Sequence, residues 1–221
     1  MNRLGWMIAV FVLVAASAAT AQTKVEVSVL GGWTMVDGVT GGPLTAADGN
    51  AYDVVALNDS PTWGASLGVN VSDNIEVGFL FLQQLSGIEL RGTKITDVGD
   101  LSITTYHPYI ALNLGDADGS LRPYGFLGLG ATNYGAVQFT RSTGEQAETS
   151  GGTQFSGTLG VGVKYFRSPR FGLRAGIQWT PTYIKSDASG WWCDPYWGCY
   201  LLTDSQYSNQ LHLTGGVTFR F

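Results

Sequence analysis

Residues 208–221, SNQLHLTGGVTFRF, decide how the rest of the chain is read. Counting back from Phe221, the positions Phe219, Val217, Gly215, Leu213 and Leu211 share one face. Arg220, Thr218, Gly216, Thr214, His212 and Gln210 share the other. Successive side chains of a strand point to opposite faces, so an apolar face is backed by a polar one. A tilted strand of about 9–11 residues crosses a bilayer, and apolar-out, polar-in alternation is what a closed membrane sheet requires. A soluble sandwich strand alternates in the same way, but rarely runs up to a final aromatic residue as this one does.

The composition points the same way. Of the 221 residues 44% are hydrophobic and only 13% charged, about half the ~25% usual in soluble domains. Yet beyond the N-terminus no apolar run approaches the ~18–20 residues of a membrane helix. Low charge, 31 Gly and 27 Trp, Tyr and Phe suit strands better. A net charge of −5 argues against a nucleic-acid partner, which calls for a basic patch.

The N-terminus reads as an export signal. Arg3 supplies the positive charge, Leu4 to Val14 the apolar core, and Ala19-Thr20-Ala21 a small-residue cleavage site. Residues 1–21 are therefore expected to be a cleaved signal peptide, and 22–221 one barrel domain. No Cys lies near the cleavage site, so lipid anchoring is not expected. The two cysteines, Cys193 and Cys199, both follow it. In an oxidising compartment such a pair is expected to form a disulfide. Zinc would need further ligands beside them, and there are none.

Eight alternating segments follow from Lys24 onward. Val25, Val27, Val29 and Trp33 face outward in the first, with Glu26 and Ser28 inward. A long polar stretch, Met35 to Pro61, precedes TWGASLGVNV, and the turn Ser72-Asp73-Asn74 leads to IEVGFLFLQQL. Ser86 to Asp100 reads as a polar loop. The fourth strand runs from Ser102 to Leu114, and Gly115 to Gly119 is a turn. In LRPYGFLGLGATNY the facing is ambiguous, since Leu127 and Leu129 claim one side and Tyr124 and Phe126 the other. QFSGTLGVGVKYF and FGLRAGIQWT flank the turn Arg167–Arg170, and a loop over Lys185–Tyr207 precedes the closing strand. The fold expected is all-β: an eight-stranded, antiparallel, up-and-down transmembrane β-barrel.

Two regularities support this count. Connections alternate long and short, as in barrels with short periplasmic turns and longer outside loops, which puts both termini in the periplasm. Outward aromatics also gather at strand ends: Trp33, Trp63, Phe155 and Trp179 at one, Tyr165, Phe171 and Phe221 at the other.

RPYGFLGLG, GTLGVGVKYFRSPRFGLRAGIQW and the terminal GGVTFRF carry a resemblance to the small eight-stranded bacterial outer-membrane barrels related to the membrane domains of OmpA and OmpX. It covers nearly all of the mature chain and implies outer-membrane localisation among lipids and lipopolysaccharide. It also implies that Val217, Phe219 and Phe221 are read by the barrel-assembly machinery. Nothing matches an OmpA-type peptidoglycan-binding domain.

Inside such a barrel the charges would be Glu26 and Glu76 against Arg122, Lys164, Arg174 and Arg220. An eight-stranded lumen is just wide enough for side chains, and buried ions must be paired, so a structural salt-bridge network is expected. The alternative is a gate in a narrow pore, since the small inward residues Gly64, Ser66, Gly68, Thr158, Gly160, Gly162, Gly172, Gly176 and Gly216 are expected to leave room for water. His107 and His212 fall on opposite walls and form no shared relay, and no nucleophile, base and orienting carboxylate converge. No catalytic role, cofactor or metal is expected. The loop GWWCDPYWGCY concentrates Trp191, Trp192, Tyr196, Trp197 and Tyr200 around the cysteines. It is a candidate contact surface for glycan, protein or lipopolysaccharide, or else rests on the membrane rim. The expected function is structural or surface-interactive. A narrow channel is the main rival, and a lipid-modifying enzyme, for which Ser208-Asn209 beside His212 is the only hint, ranks third.

Overall fold

The computed structural model describes residues 24–37, 39–45, 51–92, 95–136, 138–140, 146–148, 151–184, 193–194, 198–199 and 206–221. The signal peptide expected over residues 1–21 lies outside the described residues.

Eight strands build the wall. They are β1 (Val25–Val36), β2 (Ser60–Asn70), β3 (Ile75–Gly92), β4 (Ile95–Asn113), β5 (Leu121–Tyr134), β6 (Gly152–Phe166), β7 (Phe171–Ile184) and β8 (Gln206–Arg220). Each pairs antiparallel with its neighbour, and β8 pairs with β1, so the sheet meets itself. The closure can be traced residue by residue. From Met35 the partners run through Leu211, Trp179, Leu159, Leu127, Ile110, Val77 and Val69 back to Val25, ten residues down the starting strand. A stagger this large over eight strands goes with a steep tilt, within the roughly 35–45° of closed barrels.

Every residue on that circuit is apolar. Trp179, Leu159, Leu127, Ile110 and Val77 are exposed, and so are Val29, Leu67, Leu129, Val161 and Leu213 around them. A continuous exposed apolar belt makes sense only against lipid. The fifth strand's facing is settled by its partners: Leu121, Leu127 and Leu129 are exposed, while Arg122, Tyr124 and Phe126 are buried. All seven expected girdle aromatics are exposed. Trp63 meets Phe81 edge-on at 5.7 Å, and Phe171 meets Phe219 at the same separation.

At the rim carrying both ends of the sheet the connections are short: 71–74, 114–120 and 167–170. Gly115 (φ 84°) supplies the left-handed residue of the second. The far rim differs from the expectation. The stretch Met35–Pro61 is not all loop but carries a hairpin, Val39–Thr45 with Ala51–Leu57, whose second arm pairs with the end of β3. Ser86–Asp100 is likewise strand, because β3 and β4 run on together to Arg91 and Ile95 with one register shift. Gly, Pro and charge in these stretches argue against strand locally. Pairing along an already formed edge overrides them. Between β5 and β6 a short ladder pairs Gln138–Thr140 with Gln146–Glu148. In the last connection Cys193 lies directly opposite Cys199 in a two-residue ladder.

Candidate functional site

The inward residues stack in layers along the lumen. Nearest the rim of the two chain ends is an ionic layer. Lys164 Nζ donates to Glu26 Oε2 at 2.6 Å and also to Glu76 Oε2, so one ammonium joins carboxylates from β1 and β3. Arg220 donates to Glu26 Oε1 through Nη2 (2.8 Å) and Nε (3.2 Å). Tyr109 Oη donates to Glu76 Oε1 at 2.6 Å, and the Asn113 and Asn70 amides complete the two carboxylates. Lys164, Glu26 and Glu76 are at most 2% exposed. Ions so dry persist only when paired and fully hydrogen-bonded, and these are.

Two of the expected network bases stand apart from it. Arg174 donates to Tyr124 Oη (2.8 Å) and Ser66 Oγ (2.9 Å) and lies 4.6 Å from the Tyr124 ring centroid. Arg122 donates to the Asp73 carbonyl, and its Nε has no partner. Among the described residues neither has a carboxylate within salt-bridge distance. Two acids cannot serve four bases, so hydroxyls, a carbonyl and a ring face take the place of two of them.

Above the ions sits an aromatic layer. Tyr109, Tyr124 and Phe126 are buried with Leu30, Leu80, Leu82 and Ala111. Phe126 lies 5.7 Å from Tyr109 and 6.0 Å from Tyr124, between ring centroids. Here the inward glycines find their reason. Phe126 lies across Gly160, Tyr124 across Gly162 and Gly176, Tyr109 across Gly78, and Glu76 against Gly68. A Cβ at any of these would run into the ring or carboxylate. The expectation that the glycines leave room for water is therefore corrected: large side chains of neighbouring strands fill the space they vacate.

Beyond the rings the lining becomes polar and uncharged. His107 Nε2 is 2.8 Å from Ser156 Oγ, which accepts from Thr132 at 2.9 Å. His212 Nδ1 is 2.7 Å from Thr34 Oγ1. The two imidazoles thus have separate partners, as expected of opposite walls. The Ser156–His107 pair was not apparent in the sequence, because the two residues are 49 apart and only closure of β4, β5 and β6 brings them together. Among the described residues no carboxylate orients it, and His107 Nδ1 has no partner. Ser208 faces the lumen with an unpartnered hydroxyl, while Asn209 faces outward and accepts from Trp179 Nε1 at 3.1 Å. Both amide atoms of Gln84 and Gln210, with Gln178 Nε2, Thr105 Oγ1, Ser60 Oγ and His212 Nε2, are also buried without protein partners. Buried polar atoms rarely go unpaired, so a cluster of them marks a place for ordered water. A second apolar cluster, Leu57, Ile88, Leu101, Ile103 and Tyr134 with Val36, roofs this region at the far rim.

Phe219 and Phe221 lie exposed on the outer face, and Val217 is half-buried beside them. Trp191, Trp192, Tyr196, Trp197 and Tyr200 lie outside the described residues, as do the side chains of Cys193 and Cys199. Among the described residues no three His, Cys, Asp or Glu side chains cluster as a metal would need.

A closed antiparallel sheet with an apolar belt, aromatic girdles and a polar interior defines a transmembrane β-barrel. The sequence matches the outer membrane protein β-barrel domain family over residues 7–221, and the chain belongs to that family of the bacterial outer membrane. Solved structures of the same fold include OprG from Pseudomonas aeruginosa, at 13% identity and a TM-score of 0.54, covering 89% of this chain and 95% of that one. The N-terminal barrel of P. aeruginosa OprF matches at 18% identity and a TM-score of 0.42, covering 90% and 97%. The Escherichia coli outer-membrane protease OmpT matches at 10% identity and a TM-score of 0.44, covering 90% and 96%. No functionally curated protein matches the chain.

Proposed function

We propose that this protein is a non-conducting outer-membrane barrel whose role is structural or surface-interactive, with the termini in the periplasm and the far rim outside the cell. The observation that carries this reading is the double floor of the lumen. Lys164 ties Glu26 to Glu76 across it, and Tyr109, Tyr124 and Phe126 cover the glycine side directly above. An ion entering from the rim of the chain ends would meet paired charges and then rings, and one entering from the far rim would meet them in the opposite order. The far rim supports an interactive role, since the prolonged β3–β4 hairpin and its added strand stand on their own apolar cluster. A loop so supported presents a contact surface at little ordering cost.

The test is paired. Purified protein in planar bilayers should give no reproducible conductance steps. Replacing Trp191, Trp192 and Trp197 together should reduce cell-surface binding while leaving barrel formation intact. Regular steps from the native protein would reverse the reading in favour of the narrow channel, which draws its support from the unpartnered polar atoms of the outer half. A lipid-modifying activity has less behind it, because the Ser156–His107 pair points into the lumen, away from lipid.

A further inference from the structure

One side of the rim with the chain ends brings together four pieces of chain: Lys24, the turn 114–120, the turn 167–170 and Arg220. β1 and β5 are opposite walls, so the Lys24 Nζ–Asp118 Oδ1 ion pair, at 2.6 Å, is a bar across the mouth. Beside it lies a cavity of about 350 Å³ lined by Lys24, Asp118, Phe166, Arg167, Pro169 and Arg220, among others. That is the low end of the roughly 300–1,000 Å³ typical of small-molecule sites.

Its charge is lopsided. Three cations line it against one carboxylate, and that carboxylate is already held by Lys24. Arg220 stacks on Phe166, its guanidinium carbon 3.6 Å from the ring centroid. Its Nε and Nη2 are committed to Glu26, leaving Nη1 without a protein partner among the described residues. Deeper in, buried Arg122 has no carboxylate, and its Nε is unpartnered. Arg122 and Arg167 have no carboxylate within salt-bridge distance among the described residues, and guanidinium groups so placed favour an added anion, their planar fork fitting carboxylate and phosphate alike. The lining comes from turns and inward-facing residues, with none from the lipid-facing belt.

We propose that this mouth binds a small water-borne anion bearing a phosphate or carboxylate group. Arg220 and Arg167 hold the charged end, and Phe166 and Pro169 receive its apolar part. The site is independent of whether the barrel conducts.

The experiment follows the unfolding midpoint of the refolded mature chain in neutral detergent, titrated with inorganic phosphate against sodium chloride at matched ionic strength. Phosphate should raise the midpoint saturably where chloride does not. Arg167→Gln, in an exposed turn, should leave the phosphate-free midpoint unchanged and weaken apparent affinity about tenfold, as for loss of one charge-assisted bond. Asp118→Asn releases Lys24 and should tighten binding. Equal effects of phosphate and chloride, a full response in Arg167→Gln, or no tightening in Asp118→Asn would each overturn the proposal. A parallel arm in nanodiscs containing phosphatidylglycerol separates the other source of phosphate. A response there with none to soluble phosphate would assign the cations to a lipid headgroup and overturn it equally.

Discussion

Lys164 and Glu26, 138 residues apart in the chain, meet at 2.6 Å in the closed lumen, and the same ammonium holds Glu76 from a third strand. One side chain thus neutralises two walls. Its loss is severe: Lys164→Met leaves Glu76 buried without its cation and Glu26 with Arg220 alone. It should cost on the order of 3–5 kcal/mol, read as a lowered midpoint of urea unfolding in detergent.

Glu76→Ala should be milder than a simple ion-pair deletion, because Lys164 keeps Glu26. What it strands is the Tyr109 hydroxyl and the Asn113 amide, at about 1–3 kcal/mol for an unsatisfied buried group. An unfolding midpoint equal to that of Lys164→Met would contradict the shared-ammonium geometry.

The ring-over-glycine packing makes opposite forecasts for two glycines. Gly160→Ala drives a methyl into the Phe126 ring and should cost about 1–3 kcal/mol. Gly31→Ala meets nothing within 4 Å on the outer face and should change stability by no more than about 0.5 kcal/mol. Unfolding midpoints of the two variants decide it, and equal effects would remove the packing argument.

Removing the aromatic layer of the double floor should make the barrel leaky, because the ionic layer left below it is polar and can take up water. The Tyr109→Ala, Phe126→Ala double variant opens the aromatic layer beneath the polar region. Planar bilayers should then show small conductance steps absent from the parent protein.

The Lys24–Asp118 bar has a titration signature. The hydrogen bond from Lys24, and then its charge, hold the Asp118 carboxyl below its ordinary value against a smaller opposing effect of desolvation. A lowered folded-state value means the contact adds stability above the ordinary Asp range and loses it as pH falls through the depressed midpoint. Carbon-detected NMR should find that midpoint below that of a free Asp, and Lys24→Met should restore it.

Much of this molecule was legible in its residues before any coordinates. Period-two alternation assigns each side chain to lipid or lumen, because a strand has only two faces. The strand count, the girdle of Trp33, Trp63, Phe155 and Trp179, and the inward charges all follow from that. What alternation does not encode is which inward residues share a level, since stagger depends on closing the ring. Only the closed sheet brings Lys164 to Glu26 and Glu76, and only the register of β4, β5 and β6 lays Phe126 across Gly160 and sets Ser156 beside His107. The far-rim hairpin was hidden for a related reason: its Gly and Pro residues oppose strand locally, and only the free edge of β3 makes pairing worthwhile. Sidedness is a property of one strand at a time, whereas the chemistry of the lumen belongs to the circuit of all eight.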